Sequence, residues 1–209
     1  MTRQMLAAPL LLLLLAGCAT TGVVNSPGRR STYVDPGSPG PNQGVGIESQ
    51  DIQSMTDQMT RDILASPALA GRSTPPRVIL DAAYFDNESS SRINKNILTD
   101  RIRVGLMRSS QGRMVFVGRE YVDMVEKERL LKREGVTTPG TGNMSGATAG
   151  ADYRLGGRIT SLDEVNPRTG LADRYHQITF EMIDLETSQI VWSGIYEFKK
   201  ASQDDILYR

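Results

Sequence analysis

From residue 48 onward the apolar positions of this chain follow helical spacing first and then strict alternation. Ile52, Met55, Met59 and Ile63 recur every three or four residues. That puts one apolar stripe on a helix opening at Ser49 as N-cap, with Asp51 in its first turn. A methionine row also suits an adaptable groove, but the periodicity reads as core packing. Pro67, Pro75 and Pro76 end the region. Arg77 to Phe85 is a nearly continuous apolar run, the pattern of a strand covered on both faces. Asp86, Asn87 and the serines after them cap a second helix over about 91–108. Ile93, Ile97 and Val104 mark one stripe on it, and Leu98, Ile102 and Leu106 the neighbouring one. Met114 to Val117 reads as a short buried strand, and 119–133 as a charged helix with Tyr121, Met124, Val125 and Leu131 on its apolar side.

After the Gly-, Thr- and Ser-rich segment Gly135 to Gly150 the period changes to two. Tyr153, Leu155, Gly157 and Ile159 alternate with Arg154, Gly156, Arg158 and Thr160. Ile178, Phe180 and Met182 alternate with polar neighbours, as do Ile190, Trp192, Tyr196 and Phe198. These are three half-buried strands, joined by Asn166 to Gly170 and by a hairpin at Glu186 to Gln189. The predicted class is α+β, a single mixed β-sheet with packed helices in the order α-β-α-β-α-β-β-β.

The N-terminus follows neither regime. Arg3 gives a basic start, Leu6 to Leu15 is apolar, and Leu15-Ala16-Gly17-Cys18 follows. The run falls short of the roughly 20 residues that span a bilayer and has the form of a secretory signal. Its ending resembles the lipobox of bacterial lipoproteins. The resemblance implies cleavage before Cys18 and lipid on that cysteine. Two or three acyl chains on one residue anchor durably where a single chain does not. Ala19 is not the aspartate of the inner-membrane retention signal, so the expected location is the outer membrane, facing the periplasm. Residues 18–47 hold Pro27, Pro36, Pro39 and Pro41 among many glycines and read as a flexible linker. Such a linker reaches roughly 30 Å on average and about 100 Å when fully stretched. The expected organisation is signal peptide 1–17, lipidated N-terminus and linker 18–47, and globular domain 48–209.

Composition narrows the chemistry. In 209 residues Lys+Arg is 24 and Asp+Glu is 24, so no field of one sign is available to hold nucleic acid. Cys18 is the only cysteine, and once lipidated it leaves no thiol for a disulfide, a metal site or a nucleophile. His176 is the only histidine and reads as structural or exposed, at the start of a strand beside a loop from Pro167 to Arg174. No Gly-x-Ser-x-Gly turn occurs. Gly135 to Gly150 lacks the Gly-Lys-Ser/Thr ending of a phosphate loop, and Gly142 to Gly146 misses the dinucleotide spacing. The carboxylate pairs Asp184 with Glu186 and Asp204 with Asp205 fit glycoside hydrolysis in residue type. Both lie at a strand end or in the tail, where charge serves solubility. Neither an enzyme, a metal nor a cofactor is expected.

From Gly46 to Lys200 the chain resembles the LpoB family, outer-membrane lipoproteins that activate bifunctional penicillin-binding proteins. The marks are Ser49-Gln50-Asp51, Val78-Ile79-Leu80 leading to Asn87, and Glu128-Arg129. Gly150-Ala151-Asp152-Tyr153 entering Gly156-Gly157-Arg158-Ile159 follows, then Asp184-Leu185-Glu186-Thr187 and Ile190-Val191-Trp192. The linker is shorter than in the best-known enterobacterial members. The resemblance implies a domain related to the TolB N-terminal and CsgG-like domains, no catalysis, and docking on an inner-membrane peptidoglycan synthase. The candidate docking surface is the polar side of the late strands: Arg154, Arg158, Glu181, Glu197 and Lys199. A monomer is expected. The alternative is a CsgG-like subunit of an outer-membrane secretion or envelope assembly.

Overall fold

The computed structural model describes residues 31–40, 44–70, 72–138, 140 and 147–203. The signal peptide, Cys18, much of the linker, most of 139–146 and the pair Asp204 and Asp205 lie outside them. Of residues 1–33 only 31–33 are described, without regular structure; a compact unit begins at Val34.

Helix α1 spans Ser49–Ala65. Its N-cap is Glu48, one residue before the expected Ser49, because Glu48 and Asp51 form a capping box in which each side chain bonds the other's backbone N–H. Met55, Met59 and Ile63 are fully buried, so the methionine row is core. Pro67 opens the one-turn helix α2, Pro67–Ala70. Helix α3 starts later than expected, at Lys95–Ser109, with Asn94 as N-cap accepting from the Asn96 N–H at 3.1 Å. Leu98, Ile102 and Leu106 are the buried stripe, while Ile97 and Val104 face solvent. Where α1 and α3 cross, a Cβ on Gly105 would stand 3.1 Å from Thr60 Oγ1, so the missing side chain sets how closely the helices approach.

The expected strand over 77–85 is two strands. β1, Arg77–Ile79, and β2, Phe85–Glu88, both run parallel to one edge of β4, Tyr153–Val165. Between them the chain jogs: Asp81 Oδ1 accepts the Ala83 N–H at 3.1 Å and the Phe85 N–H bonds the Ala82 carbonyl at 3.3 Å. Asp86 and Asn87 therefore lie in β2 rather than capping α3. β3 is the pair Val115–Phe116, parallel to β1. β4, β5 (Leu171–Asp184) and β6 (Ile190–Gln203) form an antiparallel meander. The sheet order is β3-β1-β4-β5-β6, with β2 continuing β1's side of β4.

The late strands run beyond their alternating stretches. Val165 pairs with Ala172 and Leu171 with Gln203, outside the reach of the apolar core. Residues 171–174 thus belong to β5 and not to the loop expected beside His176. Two facing layers make the core: Met55, Met59 and Ile63 of α1 with Leu98, Ile102 and Leu106 of α3, against Val78, Phe85, Leu155, Ile159, Ile178, Phe180 and Met182 of the sheet. The charged helix α4, Val122–Arg133, follows a 3-10 turn at Arg119–Tyr121. It buries none of its residues; of its expected apolar side, Tyr121, Met124 and Val125 are exposed and Leu131 is half-buried.

Gly157 holds the centre of the sheet. A Cβ there would stand 2.3 Å from the Thr179 carbonyl oxygen of β5 and 2.5 Å from the Phe85 ring of β2. Phe85 itself packs on Phe180 with ring centroids 5.1 Å apart. Neither a ladder carbonyl nor a core ring can move cheaply. Gly157→Ala is expected to lower unfolding free energy by about 2–3 kcal/mol in urea titration. Gly150→Ala, with nothing near its Cβ, leaves the midpoint unchanged.

Candidate functional site

Register decides which side chains share a face. In β4, β5 and β6 the residues Leu155, Ile159, Ile178, Phe180, Met182 and Tyr196 point toward the helices. Their neighbours in sequence point away. Arg154, Arg158, Glu181, Glu197 and Lys199 all fall on that outer face, as the alternation predicts.

They form two groups rather than one. Gly156 pairs with Glu181, so Arg154 and Arg158 lie diagonal to that carboxylate across β4 and β5. Glu197 and Lys199 lie further along, opposite Gln177 and Tyr175. Thr160, Thr179 and Ile195 occupy the uncharged ground between the groups, and Ile195 is about half exposed.

Arg154 is held in place. Its Nη2 is 2.8 Å from both carboxylate oxygens of Asp81, and its guanidinium lies 4.5 Å from the centroid of the Tyr84 ring. The side chains are 19% and 10% exposed, so this pair clamps the jog between β1 and β2 onto β4. Arg158 is exposed and Glu181 half-buried.

At the other group Lys199 spans three strands. Its Nζ is 3.1 Å from Asp173 Oδ2 in β5 and 3.3 Å from Glu164 Oε2 in β4. Glu164 and Asp173 are direct cross-strand partners, a like-charge placement that the ammonium between them relieves. Asp173, then Glu164, hold the Lys199 ammonium above its ordinary range. Glu197 accepts the Tyr175 hydroxyl at 2.7 Å, and this bond raises the phenol's pKa.

Sequence reasoning found the five outer residues but missed their supports: Asp81, Tyr84, Glu164, Asp173 and Tyr175. An aspartate inside an apolar run signalled Asp81. The others needed the register of β4 on β5. The Asp184 and Glu186 pair does not assemble as an acid and base. Asp184 Oδ1 accepts the backbone N–H groups of Thr187 at 2.8 Å and Glu186 at 2.9 Å, which close the β5–β6 turn and hold the carboxyl below the usual carboxylate range. Among the described residues no group of three or more His, Cys, Asp or Glu is placed to hold a metal ion. No described helix is long and apolar enough to cross a membrane.

The domain has two layers, with one sheet face under helices and the other open and charged. The chain belongs to the LpoB family: the model of the peptidoglycan-synthase activator LpoB matches residues 51–198. The family is regulatory rather than enzymatic, so the match favours the regulator over the secretion-subunit reading. Among solved structures the chain is similar to the LpoB C-terminal domain from Escherichia coli. Identity is 15%, over 71% of this chain and 97% of that one, with a TM-score of 0.39. The LpoB C-terminal domain from Salmonella enterica gives 18% identity over 73% of this chain and 96% of that one, with a TM-score of 0.35. Lipoprotein GNA1162 from Neisseria meningitidis gives 14% over 63% and 88%, with a TM-score of 0.33. No curated protein matches the chain.

Removing one partner of a largely buried ion pair costs more than the pair is worth, because the other charge stays behind. Asp81→Ala is therefore expected to destabilise the domain by about 3 kcal/mol in denaturant titration. Lys199→Ala, at an exposed bridge, is expected to leave the midpoint nearly unchanged.

Proposed function

We propose that this chain is an outer-membrane lipoprotein that docks on a bifunctional penicillin-binding protein of the inner membrane and activates it. Family membership over residues 51–198 is the observation that carries this reading. Supporting it, the charged outer face of β4, β5 and β6 is open, and no helix among those packed in the core covers it. In this reading Cys18 bears the lipid, residues 18–47 act as the tether, and the domain from 48 reaches the synthase as a monomer without cofactor.

An activator shifts an enzyme only by binding its active form better than its inactive one. The docking surface is accordingly the functional site. Arg158, Glu181, Glu197 and Lys199 offer charge of both signs on a rigid ladder, and Arg154 fixes the edge beside them. Such alternation selects a partner of matching pattern and speeds encounter more than it raises affinity. Ile195 and the threonines around it supply a flatter, less charged centre, the arrangement in which contacts contribute most.

The test pairs binding with function. Arg158→Glu together with Glu181→Lys is expected to weaken retention of the synthase by about ten-fold or more and to abolish stimulation of glycan polymerisation, with an unchanged thermal midpoint. Cys18→Ser is expected to release the protein from the outer membrane on cell fractionation while leaving stimulation in solution intact. Unaltered stimulation by the double variant would remove the outer face from consideration.

A further inference from the structure

His176 is fully buried on the helix-facing side of β5, and its chemistry is not used by the docking face. Its Nε2 stands 2.7 Å from the carbonyl oxygen of Val45. Its ring stacks on Phe198 of β6 with centroids 4.9 Å apart. Its Nδ1 is buried and, among the described residues, has no hydrogen-bond partner. One residue further along the chain, the Gly46 carbonyl accepts from Lys200 Nζ at 3.1 Å. The same ammonium reaches Asp51 Oδ2 at 2.6 Å and Glu48 Oε2 at 3.5 Å. Glu48 in turn accepts the Gly44 N–H at 2.9 Å. The segment 44–47, directly ahead of α1, is thus strapped to the ends of β5 and β6 by two side chains gripping successive carbonyls.

We infer that His176 and Lys200 form an acid-opened clasp that holds the end of the tether on the domain. The neutral imidazole fits the closed strap: Nε2–H donates to Val45 and Nδ1 remains a bare acceptor. Protonation places a second N–H at Nδ1, which no acceptor among the described residues meets, on a side chain with no exposed surface. An unsatisfied charged donor in such a site is costly, and the strap, which lies outside any helix or strand, is the wall whose release relieves it. The charged groups facing the ring act in opposing directions. Arg174 of β5 and Lys200 of β6 disfavour the cation, whereas Asp163 of β4 favours it. Glu48 and Asp51 at the start of α1 are engaged with Lys200. Burial is the largest influence and, despite the Val45 bond, holds the imidazole below its ordinary value. A group depressed in the closed form stabilises closure fully above its open-state value near 6.5 and loses that contribution as pH falls below it. Opening frees residues 44–47, which adds about 13 Å to the span of an extended chain. That gain in reach rests on the tether reading above; the clasp itself does not.

His176 is the sole histidine, so its imidazole gives a single resonance in the full chain. Amide protection factors for Gly44 to Glu48 are measured from pH 7.5 to 5.5, above ordinary carboxylate titration. Protection of the strap is expected to fall about ten-fold per pH unit below 6.5, while β4–β5 ladder amides hold. His176→Gln keeps a donor without titrating and is expected to make the strap's protection independent of pH. If that variant does not fold, the wild-type imidazole decides, since its resonance must titrate in step with strap loss. Flat strap protection, loss shared by the whole sheet, the same pH dependence in His176→Gln, or an imidazole titrating separately would each overturn the clasp. Each readout is independent of lipid and synthase, so failure here and failure of the proposed function are distinguishable.

Discussion

Strand β4 must satisfy partners on both edges that run in opposite directions. On one side it takes β1 and β2 in parallel, and on the other β5 antiparallel. Both sets of ladder bonds meet at its glycines. A Cβ on Gly156 would stand 3.3 Å from the Tyr84 carbonyl oxygen, and Gly157 leaves room for the Phe85 ring. This double pairing explains why the first strand breaks. A straight strand over 77–85 would keep one register with β4 throughout. The jog at 80–84 resets it, and Asp81 with Arg154 fastens the reset. The core follows from the same arrangement, because the rings of Phe85 and Phe180 meet above Gly157 only when β2 and β5 flank that glycine.

The helices α1 and α3 and the three long strands were legible because their apolar residues recur at periods that burial enforces. Met55, Met59 and Ile63, and Leu155, Ile159 and Phe180, are all core. The second stripe on α3 was not separable by period, since Ile97 and Val104, two turns apart, fit helical spacing as well as Leu98 and Ile102, one turn apart, yet face water. Helix ends depended on side chains competing for the same backbone groups. Glu48 with Asp51 displaced Ser49, and Asn94 displaced Asn87, which instead binds Ser89 and Ser91. The ends of β4 and β5 escaped notice because 161–165 and 171–174 pair without burying one face. α4 kept a helical pattern but buries none of its residues, so amphipathic spacing alone overstated its burial.

The outer face was readable as a set of positions but not as a set of interactions. Alternation placed Arg154, Arg158, Glu181, Glu197 and Lys199 on one side. Cross-strand register then divided them between a structural clamp and exposed charges, and register is not encoded in any single strand. His176 shows the same limit from the other direction. It was read as structural or exposed; the fold buries it fully and gives it a backbone partner 131 residues away. A family of regulators fits this economy: the chain invests its polar groups in turns, clamps and one open face.

Lys199 carries a consequence for the sheet's border. Among the described residues β6 is the last strand on its side, a row of main-chain groups with no neighbour. Such borders invite foreign strands to add on and start fibrils. An ammonium drawn inward over β5 and β4, with Glu197 on the same face, leaves fixed charges that an incoming strand must desolvate. The residue that quiets repulsion between Glu164 and Asp173 therefore also makes that border a poorer template for an added strand.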